Sequence, residues 1–164
     1  FRIGNREALT RALLELRMLG RAEGYLAQPF ISGRVVCVDT IRDSAGHTLA
    51  LAREEYIRTP RGAGLSVQVF RDSELEAICG ALAAELGVIG CVNFEFIKDA
   101  GGKYHFLECN PRFSGGIGFS ERAGLPAVRL HLSAWRGESI PEDITEQITP
   151  GWQVKKYIEV VTKE

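Results

Sequence analysis

Nothing in the 164 residues supplies a CxxC pair, and no histidine stands beside a cysteine at metal-ligand spacing. That excludes the common zinc and disulfide frameworks. The four cysteines, Cys37, Cys79, Cys91 and Cys109, are widely separated and three lie in apolar segments. They read as small buried hydrophobes in a reducing compartment. His47, His105 and His131 are scattered and read as structural or surface residues. No apolar run approaches the ~20 residues that span a bilayer, and no signal-peptide pattern opens the chain. An excess of one charge is missing too: 20 Lys plus Arg against 21 Asp plus Glu leave a formal −1. That balance argues against a dedicated nucleic-acid or anionic-membrane binder. Neither GxxxxGK followed by Ser or Thr nor GxGxxG occurs, which disfavours the common P-loop and Rossmann phosphate sites. The expectation left is a soluble, cytoplasmic protein with no nucleic-acid and no membrane partner.

What is present is an ordinary 45% of hydrophobic residues, enough for one core. Leu9, Ala12, Leu13, Leu16 and Leu19 recur at helical spacing, with Asn5 to cap and Gly20 to stop a helix over 6–19. The period then changes. Segments 25–30, 34–41, 48–57 and 65–70 are rich in Val, Ile and Thr and are separated by turn residues, the pattern of an antiparallel meander. Ser73 with Glu76 makes a capping box ahead of the apolar stripe Leu75, Ile78, Cys79, Leu82, Ala83 and Leu86. Strands are expected at 88–98 and 103–110, and a helix at 126–136 with Pro126 first and Gly137 after its end. From Trp152 to Thr162 the chain alternates like a closing strand. The fold class expected is α+β, an antiparallel sheet with packed helices.

The chemistry concentrates between Val92 and Gly116. Asp99-Ala100-Gly101-Gly102 between two apolar strands signals a hairpin. A two-residue loop at 101–102 or a four-residue loop at 100–103 both set Glu95 directly opposite Glu108, with Cβ atoms roughly 4.5–5.5 Å apart. Facing carboxylates repel, and a divalent cation would compensate. Asn110 and Arg112 continue the alternation, and Pro111 ends the ladder. One face then presents three oxygen donors and a cation, a set suited to Mg²⁺ on a nucleotide. Phe94, Phe96, Leu107 and Cys109 are expected on the opposite, apolar face, where parity also puts His105. The competing reading is a solvated charged strand face. The glycine-rich run from Ser114 to Gly118 can turn backbone amides toward an anion, although most such loops only turn the chain.

The stretch LGVIGCVNFEFIKDAGGKYHFLECNPRFSGG resembles the metal-binding core of ATP-grasp ligases, and within them the carbamoyl phosphate synthase large chain. Upstream, YLAQPFISGRVVCVDTIRDSAG is similar to the family's hinge and the strand after it, followed in family order by GAGLS and DSELEAI. The resemblance implies an ATP- and Mg-dependent ligase, with Mn as a substitute metal. A carboxylate, bicarbonate or carbamate would become an acyl phosphate for attack by an amine. It implies Glu95, Glu108 and Asn110 as metal ligands and Arg112 as the residue stabilising the transferring phosphoryl group. Gln28, Pro29, Phe30 and Ile31 would lie against adenine, and Ser114, Gly115 and Gly116 would border the acceptor pocket. Arg53 is assigned toward phosphate, with a surface strand arginine as the alternative.

Two features depart from the family pattern. Gln28 and Val35 stand where family members commonly carry Glu, and Val35 cannot accept a hydrogen bond from ribose. All five lysines, Lys98, Lys103, Lys155, Lys156 and Lys163, lie late in the chain, so nothing here supplies the cationic N-terminal lobe. The resemblance therefore implies residues 1–140 as the C-terminal half of an ATP-grasp domain and 141–164 as a tail. The N-terminal half of the unit is the expected partner, small-molecule substrates are the expected ligands, and a homo-oligomer is compatible. Two alternatives stay open: a nucleotide-binding module without catalysis, and an interaction domain with solvated carboxylates.

Overall fold

A computed structural model describes residues 2–60, 62–141 and 143–155. The chain divides into two compact units, residues 1–32 and 33–164. In the first, α1 (Arg6–Met18) starts where Asn5 accepts a hydrogen bond from the Ala8 amide, at 2.8 Å, and stops before Gly20 at φ 64°. No α1 residue is buried. A single 3-10 turn follows at Ala22–Gly24, and residues 25–32 form no strand. The strand expected at 25–30 is thus corrected: β-rich composition makes a strand only where a neighbouring chain completes the ladder.

The second unit is built on a six-stranded sheet. Its strands are β1 (Gly33–Arg42), β2 (Thr48–Arg58), β3 (Gly64–Phe70), β4 (Gly90–Asp99), β5 (Tyr104–Asn110) and β6 (Gly151–Val154). They lie in the order β5-β4-β1-β2-β3-β6, every neighbouring pair antiparallel. The α+β class is as expected. One face packs on α2 (Ser73–Glu85) through Val36, Val38, Phe94 and Phe96 against Leu75, Cys79 and Ala83. The other carries α3 (Ile117–Arg122), α4 (Ala127–Trp135) and α5 (Ile144–Gln147), with Ile41, Leu51, Val67 and Val69 packed on Phe119, Leu125 and Leu130. Residues 141–155, expected as a tail, contribute Ile144, Ile148 and β6 to this unit. The closing strand expected to Thr162 is seen as Gly151–Val154, and 156–164 lie outside the described residues.

Details of capping differ from expectation. The N-cap of α2 is Asp72, whose side chain accepts from the amides of Glu74 and Leu75, and Ser73 is already helical. Aspartate, one residue earlier, reaches two orphan donors and carries the charge that the helix N-terminus favours. Pro126 occupies the cap of α4 rather than its first turn. Strand β4 starts at Gly90, because the Val88 amide is still engaged with Ala83 at the end of α2. Among the described residues no helix is long and apolar enough to cross a membrane.

Candidate functional site

The hairpin of β4 and β5 places Glu95 opposite Glu108, as expected, and sets Asn93 opposite Asn110. It does so by a different route. The loop has three residues, closed where the Asp99 amide donates to the Lys103 carbonyl at 3.0 Å, and near it Phe96 faces Phe106 and Ile97 faces His105. The register shifts between Glu95 and Phe96, so Leu107 is an extra, bulged residue that restores the pairing beyond it. Two expectations are corrected by this one-residue slip. Phe106, not Leu107, stacks edge-on to Phe96, with ring centroids 5.8 Å apart. His105 shares the face of Glu95, Ile97 and Asp99, and its Nε2 lies 2.7 Å from Asp99 Oδ2.

The four residues expected to act together do converge. Asn110 Nδ2 donates to Glu108 Oε1 at 2.8 Å and to Glu95 Oε1 at 3.4 Å, while Arg112 Nη2 donates to Asn110 Oδ1 at 3.1 Å. Burial and the nearby Glu108 charge raise the Glu95 carboxyl above its ordinary range. Glu95 is half-buried, and Glu108 and Arg112 are exposed. Among the described residues no three His, Cys, Asp or Glu side chains converge as a metal group. The donor set is two carboxylates and one amide, an all-oxygen set that fits Mg²⁺ provided the Asn110 amide turns to present Oδ1. Both glutamates reach the one Asn110 amide, so the two acids lie close together, and repulsion between close acids is what a divalent cation relieves.

Arg53 is neither a surface residue nor aimed into solvent. Registers across the sheet align Glu108, Glu95, Cys37, Arg53 and Val69 on one face. Arg53 is 2% exposed, and its Nη1 donates to the fully buried Asp39 at 2.7 Å. Asp39 Oδ2 also accepts from Ser120 Oγ at 2.6 Å, which ties α3 to the sheet. Charges then alternate toward the hairpin. Arg53 Nε is 3.6 Å from Glu55 Oε1, Arg58 Nε is 2.6 Å from Glu55 Oε2, and Arg58 Nη2 is 3.8 Å from Glu95 Oε2. A buried arginine needs such partners, because an unpaired charge there costs several kcal/mol.

The expected acceptor segment rests on this arrangement. A Cβ on Gly116 would sit 2.6 Å from Arg53 Nε, so the loop passes directly over the guanidinium. Ser114 is buried, and Ser114 Oγ and Arg53 Nε are both without a hydrogen-bond partner among the described residues. Gly115 faces Ala63, whose Cβ is 3.9 Å from the position of an added Cβ. Gln28, Pro29, Phe30 and Ile31 belong to the first unit, where the Arg2 guanidinium lies 4.1 Å from the Phe30 ring centre.

The sequence reading missed Asp39, Glu55, Arg58, Asn93 and Ser120. The signal available was Asp39 interrupting an apolar strand two residues after Cys37, with Arg53 and Glu55 doing the same in β2. Cys37, Cys79 and Cys91 are buried and form no disulfide, and burial pushes the thiols of Cys79 and Cys91 up to about 12. Buried thiols of this kind stay protonated and pack as small hydrophobes.

A family model described as "ATP-grasp in the biosynthetic pathway with Ter operon" matches residues 21–160. No curated protein is matched. Among solved structures, a biotin carboxylase–β,γ-ATP complex from Campylobacter jejuni aligns with a TM-score of 0.68 and 22% identity, over 88% of this chain and 34% of that one. A Rhizobium etli pyruvate carboxylase aligns at 0.67 and 22%, over 91% and 15%. An N5-carboxyaminoimidazole synthetase from Staphylococcus aureus, complexed with ADP, aligns at 0.64 and 19%, over 85% and 38%. At these identities the likeness is one of fold. The chain spans about a third of the biotin carboxylase chain.

Proposed function

The chain belongs to the ATP-grasp family of the biosynthetic pathway with the Ter operon, and from that membership we propose that it carries the metal- and phosphate-handling part of an ATP-dependent ligase. Glu95, Glu108 and Asn110 hold Mg²⁺ on the nucleotide phosphates, and Arg112 offsets the charge of the transferring phosphoryl group. A carboxylate, bicarbonate or carbamate takes the γ-phosphoryl group, and an amine then displaces phosphate from the acyl phosphate. Such a transfer demands positioning and charge neutralisation rather than a nucleophile of the protein's own. The likeness of the Leu86–Gly116 stretch to the carbamoyl phosphate synthase large chain is carried as part of this proposal. Gln28 to Ile31 are assigned to adenine, and Ser114 to Gly116 to the acceptor. The observation that carries the reading is the Asn110 amide bridging two opposed glutamates while Arg112 grips its oxygen.

The test is Mg²⁺-dependent ATP binding by calorimetry, with ADP release, on the full-length protein. Glu108→Gln is expected to reduce turnover on the order of 100-fold, the scale of losing one group that stabilises transferring charge. Unchanged binding and turnover in that variant would show the metal assignment to be wrong. Val35 favours a second reading, nucleotide binding without chemistry. It lies on the Glu95 face, opposite Ile97, where the family's ribose-holding acid is expected. Mg-ATP binding by the full-length protein with no ADP formed from any carboxylate would select that reading.

A further inference from the structure

Beside the glycine-rich segment lies a cavity of about 330 Å³, lined by Gly116, Gly118, Phe119, Arg122, Gln153 and Lys155 among others. Among the described residues that line it, two are cations and none is a carboxylate. Glu121, next to Arg122 in the chain, is turned elsewhere: its Oε1 accepts from the Val128 amide at 2.8 Å. Arg122, at the end of α3, is exposed and pairs with no carboxylate among the described residues.

The walls are fixed before any ligand arrives. Phe119 is buried in the core, and Ser120 pins α3 to Asp39. β6 pairs with β3, the Lys155 amide donates to the Leu65 carbonyl at 2.7 Å, and Gln153 Nε2 donates to the Phe119 carbonyl at 3.2 Å. Lys155 Nζ lies 3.4 Å from the Gly115 carbonyl, so the ammonium stands at the edge of the acceptor segment. A guanidinium fork and an ammonium lining one cavity match a carboxylate. The volume admits the end of a small molecule rather than a polymer. Gly116 is common to this cavity and to the segment assigned to the acceptor.

We propose that this cavity is a specificity subsite for a second carboxylate, carried by one of the two small substrates of the ligase. The identity of those substrates rests on the reading above; the binding itself does not. The carboxylate could belong to the acid being activated or to the incoming amine, and the probes separate the two. Succinate, β-alanine and acetate are titrated by calorimetry into the full-length protein at constant ionic strength, with Arg122→Gln, Lys155→Gln and the double variant alongside. Both side chains are exposed, and matching melting curves verify that the variants fold. The expected result is succinate binding at least tenfold tighter than acetate, with that advantage lost in the double variant. β-Alanine matching succinate, with the same dependence on Arg122 and Lys155, assigns the carboxylate to the amine; weak β-alanine binding assigns it to the acid. Equal binding of succinate and acetate, or succinate binding untouched by both substitutions, overturns the subsite. Absent Mg-ATP binding with succinate binding still dependent on Arg122 would sink the ligase reading and leave the subsite standing.

Discussion

At Gly116 the backbone conformation is ordinary, φ −103°, yet the position has no room for a methyl group. The obstacle is Arg53, whose guanidinium atoms lie 2.6 to 2.8 Å from where a Cβ would be. That guanidinium cannot move aside freely, because Asp39 holds Nη1 at 2.7 Å. Gly116→Ala is therefore expected to cost about 1–3 kcal/mol, the usual scale of overpacking, measured by urea denaturation. Gly115→Ala meets only an ordinary contact at 3.9 Å and is expected to stay within about 0.5 kcal/mol of the parent. Equal effects of the two substitutions would mean that Arg53 does not support the loop.

At the scale of elements, the turn between β1 and β2 does more than reverse the chain. Asp43 is buried there and accepts from the Ile140 amide at 2.9 Å, from the His47 amide at 2.9 Å and from the His47 ring at 3.0 Å. It thereby clamps the segment after α4 to the sheet. Burial alone would raise this carboxyl, but the Ile140 and His47 hydrogen bonds outweigh it and hold the group below its ordinary 3.8. A depressed folded value stabilises above the unfolded value, and that contribution is lost as pH falls through the lower, folded one. Asp43→Ala is expected to cost about 1–3 kcal/mol at pH 7, and the difference from the parent should shrink below about pH 4. Urea titrations at pH 7 and pH 3 make the comparison; a difference that stays constant would mean that the charge contributes nothing.

For the second unit as a whole, the sheet separates two cores with different duties. Leu75 of α2 is fully buried on one face, and Leu130 of α4 is 1% exposed on the other, in the cluster that contains Phe119. Truncation of either to alanine is expected to cost about 2.7–5 kcal/mol. Only Leu130→Ala should also weaken Mg-ATP binding, because its core supports the loop and α3. Denaturation curves paired with calorimetry, run where both variants are folded, test this. An equal loss of affinity in Leu75→Ala would mean that the two faces are not independent supports.

The sequence alone determined whatever is decided within a few residues. Asn5 and Gly20 bound α1, apolar segments rich in β-branched residues and separated by turn residues set β1 to β5, and Asp99 to Gly102 reverses the chain so that Glu95 meets Glu108. Even that meeting was reached through two features that cancel, a three-residue loop and the bulge at Leu107, and neither has a local signal strong enough to place it. The cap of α2 slipped by one residue, to Asp72, since neighbouring Asp and Ser compete for the same orphan amides, and α4 begins one residue later than expected, after Pro126. Tertiary structure alone decided that Arg53 is buried, because its partner Asp39 is on another strand and Ser120 joins them from 81 residues away. It also brought Lys155 to the carbonyl of Gly115, 40 residues earlier. Periodicity reports which face a side chain takes; whether that face meets water, an ion pair or a glycine loop depends on segments that only folding brings near.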